Sequence, residues 1–196
     1  MKVDIYDFDK TLVPFDSGSL FMGYCLIHYP WTVITLPLQA VGGLLALLGI
    51  IDFTAYKKIC FCFVALIPLD KAVNGFWQKH EKQLHKWFFE KERHSVVISA
   101  SPDFLLNAIK DKFKIDTLIC TRHNKKTGAI IGRNCRDEEK VKRFYELFDE
   151  NETEVCDVYS DSLNHDRPIF SLAKKNCYHI VKGKKIKFKY GDVYQK

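Results

Sequence analysis

Asp7-Phe8-Asp9-Lys10-Thr11-Leu12, preceded by Lys2-Val3-Asp4-Ile5-Tyr6, is the stretch from which the fold can be read. The first five residues alternate and carry β-branched and aromatic side chains, the signature of a short strand. Both carboxylates of the following run therefore stand at the carboxyl end of a strand, where open α/β sheets gather their chemistry. One residue separates them. Once the strand loosens into a loop, both can face the same ligand, one as nucleophile and the other as proton carrier.

At 196 residues, 47% of them hydrophobic, the chain can bury one full core and a small second lobe, and is too short for a multidomain assembly. The net charge is +6, with lysines densest in Lys182-Gly183-Lys184-Lys185-Ile186-Lys187-Phe188-Lys189. That balance favours anionic partners, whether phosphoesters, nucleic acid or an acidic lipid surface. The same lysines equally suit the solvated edge of a last strand pair. No nucleic-acid recognition motif accompanies the charge. Seven cysteines occur without a CxxC pair, and Cys60 and Cys62 lie in an apolar run. They read as reduced core residues of a cytosolic protein. The chain opens directly on a strand, without the layout of a signal peptide.

After Leu12, Val13-Pro14-Phe15-Asp16-Ser17 breaks the strand and offers Asp16 or Ser17 as a helix N-cap. Residues 17–51 contain no Asp, Glu, Lys or Arg. The pattern predicts one helix over 20–29, stopped by Pro30, and another over 32–51, interrupted by Pro37 and Gly42-Gly43. About 20 apolar residues suffice to cross a bilayer, and the polar face of a soluble core helix is missing. A single crossing would leave Asp7 and everything beyond Asp52 on opposite sides, so the segment must return to the side it left. A shallow, re-entrant or surface-lying insertion of residues 17–66 is expected. Two helices packed on each other as the core of a cap are the alternative. In the inserted arrangement Lys57 and Lys58 would snorkel at a headgroup surface while the apolar half of residues 52–66 is buried. Residues 71–93 carry Val73, Trp77, Leu84, Trp87 and Phe88 at helical spacing, an amphipathic helix leading back to the core whose tryptophans serve packing.

Ser95-Val96-Val97-Ile98 reads as a buried strand, and Ser99-Ala100-Ser101-Pro102-Asp103 turns into a helix over 104–112. A hydroxyl at a strand end beside the amides of a helix start makes a phosphate cradle, although a serine that merely caps the helix explains the same residues. Residues 115–121 and 129–131 read as strands around a lysine-rich turn, followed by a helix over 138–149. Lys140 lies in the first turn of that helix, unfavourable for the helix dipole, so its charge is wanted elsewhere. Glu154 to Tyr159 is a last buried strand. It runs into Ser160-Asp161-Ser162-Leu163-Asn164-His165-Asp166, with a helix over 168–173. Acidic residues at two strand ends would repel a phosphate unless a hard cation such as Mg²⁺ sat among them.

Asp-x-Asp-x-Thr after an apolar strand, strand-Ser-x-Ser-Pro, Lys140 in a first helical turn and the Asp161 to Asp166 run follow one another over nearly the whole chain. In that order they resemble the four motifs of the haloacid dehalogenase superfamily of phosphohydrolases. The resemblance implies an α/β fold with a Rossmann-like core and a central parallel sheet, formed by residues 1–12 and 93–196. A helical, strongly apolar cap would be inserted as residues 13–92. It further implies that Asp7 is the nucleophile and forms an aspartyl-phosphate, and that Asp9 protonates the leaving alcohol and later activates water. Thr11 would orient the loop, and Thr11, Ser99, Ala100 and Lys140 would lie at the phosphate. Asp7, Asp161 and the backbone carbonyl of Asp9 would bind Mg²⁺. Asp166 would support the metal's shell, with Asn164 or His165 as substitutes. Two departures stand out: Ser160 occupies the place of the usual glycine, and four residues, not the commoner three, separate Asp161 from Asp166.

The uncharged cap segment, Ser-x-Ser-Pro, the run Asn134-Cys135-Arg136-Asp137-Glu138-Glu139-Lys140-Val141 and Tyr159-Ser160-Asp161-Ser162 together resemble the phosphatidylglycerophosphatase C group. These are small membrane-associated members of the phosphoserine-phosphatase-like branch, subfamily IB, that act on phosphatidylglycerophosphate in phospholipid synthesis. The implied function is Mg²⁺-dependent hydrolysis of a lipid phosphomonoester at the cytoplasmic face of a membrane, without a nucleic-acid partner. A soluble phosphatase of small metabolites such as phosphoserine, and a non-catalytic membrane-binding module, are the competing readings.

Overall fold

In a computed structural model that describes residues 1–194, Lys2–Tyr6 forms the inner strand β1. It lies between β2 (His94–Pro102), followed outward by β3 (Thr117–Thr121), and β4 (Glu154–Ser160), followed by β5 (Asn176–Val181) and β6 (Lys184–Phe188). Neighbours run parallel except β5 and β6, which form an antiparallel hairpin at the edge. This is the expected α/β architecture with a mostly parallel central sheet. The last two residues of the expected core segment, 195–196, lie outside the described residues. The strand order reverses beside β1, the position at which open sheets leave a crevice beyond their carboxyl ends.

Alternation along the strands sends side chains to two hydrophobic clusters. Val3, Ile5, Val96 and Ile98 join Phe144, Ile169 and Phe170 on one face, while Tyr6 and Val97 join Phe8, Phe21, Phe76 and Phe88 on the other. Because both faces are covered, the inner strands read as near-continuous apolar runs. The lysine-rich terminal run is the exposed edge strand β6, where charge discourages edge pairing.

Helices α1 (Ser17–His28), α2 (Leu36–Leu47), α3 (Phe53–Cys60) and α4 (Leu69–His80) lie between β1 and β2 in sequence. Asp16 is the N-cap of α1, its Oδ1 accepting from the Ser19 N–H at 2.7 Å. The helix expected over 32–51 is shorter, and Pro37 starts it instead of interrupting it: Pro30–Thr35 is a 3₁₀ turn and α2 carries the proline in its first turn. Gly42 does not break the helix either. A Cβ there would stand 3.0 Å from Ile59 Cδ1, so the glycine lets α3 pack closely on α2. The expected helix over 71–93 ends at His80 and gives way to 3₁₀ turns. There the His85 N–H pairs with the Leu12 carbonyl at 2.8 Å, a tertiary contact that overrides helical spacing. Its tryptophans are packing residues, with Trp77 buried and its indole N–H given to the Leu105 carbonyl.

Three further elements are shorter than their sequence patterns. Beyond α5 (Asp103–Leu106) the chain tightens to a 3₁₀ turn, α6 spans Glu138–Tyr145, and α7 spans Arg167–Phe170. The expected strand over 129–131 is a single bridge between His123 and Ile130. The turn before it is held by Gly128 at φ +73°, whose missing Cβ makes room for the Phe61 carbonyl.

The segment 30–51 packs back on the residues that follow it. The Trp31 indole donates to the Leu66 carbonyl at 2.9 Å, and the Gln39 amide to the Cys60 carbonyl at 3.1 Å. Pro30–Leu47, 18 residues of mean hydropathy 1.4, is long and apolar enough to cross a bilayer, and 17% of it is buried. Ile34 is 68% exposed, Leu47 87% and Ile50 65%. All seven cysteines are free.

Candidate active site

At the end of β1 the Asp7 N–H still pairs with the Tyr159 carbonyl at 2.9 Å, so the first carboxylate sits on the sheet's rim. The chain then turns on the Phe8 carbonyl, which accepts from Thr11, Leu12 and Val13, while Lys10 takes φ 57°. Phe8 is driven into the core. Its neighbours Asp7 and Asp9 are both left lining one cavity of about 330 Å³.

Asp7 is 7% exposed. Its Oδ1 accepts from Lys140 Nζ at 2.7 Å and its Oδ2 from the Thr11 hydroxyl at 3.1 Å. The same Thr11 oxygen accepts the Asp161 N–H at 2.9 Å, so one hydroxyl ties the β1 loop to the β4 loop. Lys140 is buried in the first turn of α6, and the chain enters that turn through Asp137 at φ 51°. Its ammonium reaches Asp166 Oδ1 at 2.7 Å as well as Asp7, so two carboxylates occupy the charge that was misplaced for the helix dipole. Ser160, the residue in place of glycine, donates to Asp166 Oδ2 and accepts from the Ser162 N–H at 3.0 Å. It thereby fixes the acidic loop from within.

Carboxylate oxygens of Asp7, Asp161 and Asp166 lie within 4.8 Å of one another. Three carboxylates against one ammonium leave two negative charges, and oxygen donors in that number suit a hard divalent cation such as Mg²⁺. The residues present therefore fit a metal ion. Asp166, expected to support the metal's shell, contributes a carboxylate oxygen to this cluster. Asn164 is exposed and lies outside the cavity lining. His165 lines the cavity, its ring between Arg136 and Asp137. The Asp9 side chain is also outside the cluster: its Oδ1 accepts the Ser17 N–H at 2.8 Å and its Oδ2 the Ser101 hydroxyl.

Burial sets the proton affinities. It pushes the Asp7 carboxyl up, the charge of Asp166 adding and the Lys140 ammonium opposing. Burial raises Asp161 too, again with Asp166 adding. For Lys140 burial works against the charge, but Asp166 and Asp7 outweigh it and hold the ammonium well above the ordinary lysine range. Asp9 is raised by burial and then by Asp16, against the hydrogen bonds from Ser101 and Ser17. A carboxyl kept above its usual range can carry a proton to a leaving oxygen.

Of the remaining expected residues, Ala100 lines the cavity and Ser99 does not. The Ser99 hydroxyl is buried, accepting the Ser101 N–H at 3.0 Å and so holding the loop from below. Lys57 departs from the snorkelling expected of it. It turns inward from α3 to line the cavity, its ammonium donating to the Ala100 carbonyl at 3.0 Å and to Asn134 Oδ1 at 3.4 Å. Lys58 is the exposed one of the pair. Arg136 and Lys57 are cavity cations that spacing alone did not assign to the site; the sequence signal for the second was the pair Lys57-Lys58 ahead of the apolar run 59–66.

Residues 5–171 match the family described as haloacid dehalogenase-like hydrolase. Protein CicA of Caulobacter vibrioides is 30% identical over 94 residues, 45% of this chain and 41% of that protein, so the match spans about two fifths of the curated relative's length. The crystal structure of a protein with unknown function from Bordetella pertussis Tohama I superposes with a TM-score of 0.72 at 18% identity, covering 87% of this chain and 86% of that one. A phosphoserine phosphohydrolase-like protein from Francisella tularensis gives 0.56 at 17% identity, covering 91% and 87%.

Proposed function

The chain belongs to the haloacid dehalogenase-like hydrolases, and from that premise we propose that it is a Mg²⁺-dependent phosphomonoester hydrolase. It works through an aspartyl-phosphate on Asp7 and acts on a lipid phosphate such as phosphatidylglycerophosphate. The observation that carries the hydrolase reading is the pairing of Asp7 with Lys140 inside the Asp7, Asp161 and Asp166 cluster, beside Asp9.

In this mechanism Lys140 opposes the protonation that burial favours at Asp7, and Thr11 fixes the carboxylate's orientation. The Asp7 carboxylate attacks phosphorus in line while the bond from phosphorus to the alcohol oxygen breaks. Asp9 delivers its proton to that oxygen. Water then attacks the aspartyl-phosphate and gives a proton back to Asp9; phosphate leaves and the Asp7 carboxylate is restored. Asp7, Asp161 and Asp166, with the Asp9 backbone carbonyl, would hold Mg²⁺, which offsets phosphoryl charge when bound. Positioning and electrostatics supply most of the rate.

The lipid reading draws on the uncharged segment 17–51 and on the exposed apolar side chains of residues 30–50. Contiguous apolar surface of this kind marks an interaction site, and a net charge of +6 favours an anionic bilayer. Residues 13–92 then act as a cap that lies in the cytoplasmic face of the membrane. A second reading, a soluble phosphatase of small metabolites, is favoured by the likeness to the phosphoserine phosphohydrolase-like fold. Phosphate release from a detergent-solubilised lipid phosphate and from phosphoserine, each with Mg²⁺ and with chelator, separates the two. Release from neither, and from no aryl phosphate, would leave a non-catalytic membrane-binding module.

A further inference from the structure

The protein's excess charge stands at one edge of the sheet. Residues 167–189 contain eight lysines and arginines and no aspartate or glutamate, while acidic residues outnumber basic ones in the rest of the chain. The whole net charge of +6 is therefore owed to that segment. Most of its cations stand on or beside the hairpin of β5 and β6. Lys182, Lys184, Lys185, Lys187 and Lys189 are exposed there, and none is in an ion pair among the described residues.

Guarding an edge strand does not call for so many. β3, at the opposite edge, has no charged residue, and Arg143 covers it by donating to the Cys120 carbonyl at 2.7 Å. The turn of the hairpin also keeps charge against backbone preference. Val181 pairs with Lys184 across Lys182 at φ 49° and Gly183 at φ 78°, a two-residue turn that asparagine-glycine makes most easily. A lysine in that left-handed position is strained.

The tip lies at the end of the sheet that holds the candidate active site. β5 runs parallel to β4, and the His179 ring N–H donates to the Asp161 carbonyl at 3.0 Å. Gly183 lies against the His85 ring and accepts the Trp87 indole N–H at 3.2 Å. The His85 amide in turn donates to the Leu12 carbonyl, so the tip is tied to the loops on both sides of the cavity.

Two observations choose the partner. Val181 and Ile186 are 38% and 51% exposed among the lysines, hydrocarbon beside ammonium, which suits a headgroup layer. Residues 17–51 contain no Asp, Glu, Lys or Arg, so their exposed hydrocarbon can enter a bilayer without distinguishing anionic from neutral lipid. That distinction needs cations elsewhere in the chain.

We propose that the β5–β6 hairpin is a second docking element, which binds an anionic lipid surface and turns the carboxyl end of the sheet toward the headgroups. The apolar segment supplies depth and the lysines supply the choice of membrane charge. This deepens the proposed lipid reading and rests on it.

The test is sedimentation of the full chain with phosphatidylcholine vesicles and with vesicles in which about one third of the lipid is phosphatidylglycerol, in about 0.1 M salt. Wild type is compared with the triple variant Lys184→Gln, Lys187→Gln, Lys189→Gln and with a control that loses the same charge elsewhere, Lys71→Gln, Lys125→Gln, Lys126→Gln. Wild type is expected to bind the anionic vesicles roughly ten- to hundredfold more tightly. The hairpin variant should lose most of that preference and bind neutral vesicles as before, while the control keeps it. Should the hairpin variant not fold, raising the salt to about 1 M must remove the wild-type preference instead. A wild type without preference, a hairpin variant that retains it, or a control that loses as much overturns the inference and leaves the apolar segment's lipid role standing. Loss of affinity for a single-stranded oligonucleotide with vesicle binding unchanged also overturns it, in favour of a nucleic-acid surface. A wild type that binds neither vesicle ends the lipid reading and this inference with it. None of the substituted lysines lines the cavity, so hydrolysis of an aryl phosphate decides the hydrolase reading separately.

Discussion

The carboxyl end of the sheet and the hairpin of residues 30–51 are built on opposite terms. At the sheet end the protein buries charge: Asp7, Lys140 and Asp166 are each almost wholly enclosed and each is paired. At the hairpin it exposes hydrocarbon, with Ile34, Leu47 and Ile50 all more open than closed. Neither arrangement favours a solitary folded chain in water. Buried charges cost several kcal/mol each unless paired, and exposed leucines forgo about 1.5–3 kcal/mol apiece that burial would have supplied. In the proposed function each region is shaped for something that is not part of the chain: a phosphoryl group and cation at one, an apolar surface at the other.

If that contrast is sound, the largest effects come from the buried charges. Asp7→Asn removes the nucleophile while keeping its shape, and turnover of any phosphomonoester is expected to fall by at least ~10³-fold. Circular dichroism should remain that of the wild type. Activity surviving in this variant would end the nucleophile assignment. Asp9→Asn should cost roughly 10²-fold or more for an alkyl phosphate, whose leaving oxygen needs a proton, and much less for p-nitrophenyl phosphate, whose leaving group does not. Because burial holds the Asp9 carboxyl above its ordinary range, the protonated acid persists to higher pH. The fall in kcat/KM with rising pH should therefore begin above the usual carboxyl range of about 4. Equal losses with the two leaving groups would remove Asp9 from the proton path.

Lys140→Met tests the same region through stability. Removing the cation leaves buried carboxylates uncompensated, at a cost of about 3–5 kcal/mol in urea denaturation without divalent ions. The pH dependence has a definite sign. Asp7 has a raised folded pKa, so its contribution to stability is present below the unfolded value of about 3.9 and is lost as pH rises through the folded value. Without Lys140 that shift grows. The deficit of the variant therefore widens as pH rises past about 7, where the wild-type Asp7 carboxyl ionises and that of the variant still holds its proton; a deficit independent of pH would mean that packing, not charge, is what Lys140 supplies.

What the sequence made legible divides along the same line. Asp7, Asp9, Asp161 and Lys140 could be placed because each sits at a fixed offset from a strand end or helix start, and the sheet brings those ends together. The inward turn of Lys57, the engagement of the Asp9 carboxylate by Ser17 and Ser101, and the entry of Asp166 into the carboxylate cluster depend on which loops touch, and no spacing encodes that. In the hairpin the composition was plain and the geometry was not. Pro37 opens a helix because it falls in the first turn, and Gly42 is a packing residue because Ile59 lies over it. Both were read as breaks.

The smallest effect, and the sharpest test of the contrast, belongs to the hairpin. Leu44 and Leu47 are exposed on α2 and lie outside the two hydrophobic clusters, so Leu44→Glu with Leu47→Glu removes no core contact. Surface changes of this kind usually stay within about ±0.5 kcal/mol, and urea denaturation without lipid should hardly move. Hydrolysis of a soluble aryl phosphate should stay close to wild type, because neither residue lines the cavity. Sedimentation with anionic liposomes should weaken by roughly tenfold or more, since each leucine that enters hydrocarbon contributes about 1.5–3 kcal/mol and each glutamate opposes entry. A double variant that binds liposomes as the wild type does would leave the exposed hydrocarbon without a lipid role. A variant that loses stability to the same degree would show instead that these leucines are packed in the folded chain, and the two regions would no longer stand on opposite terms.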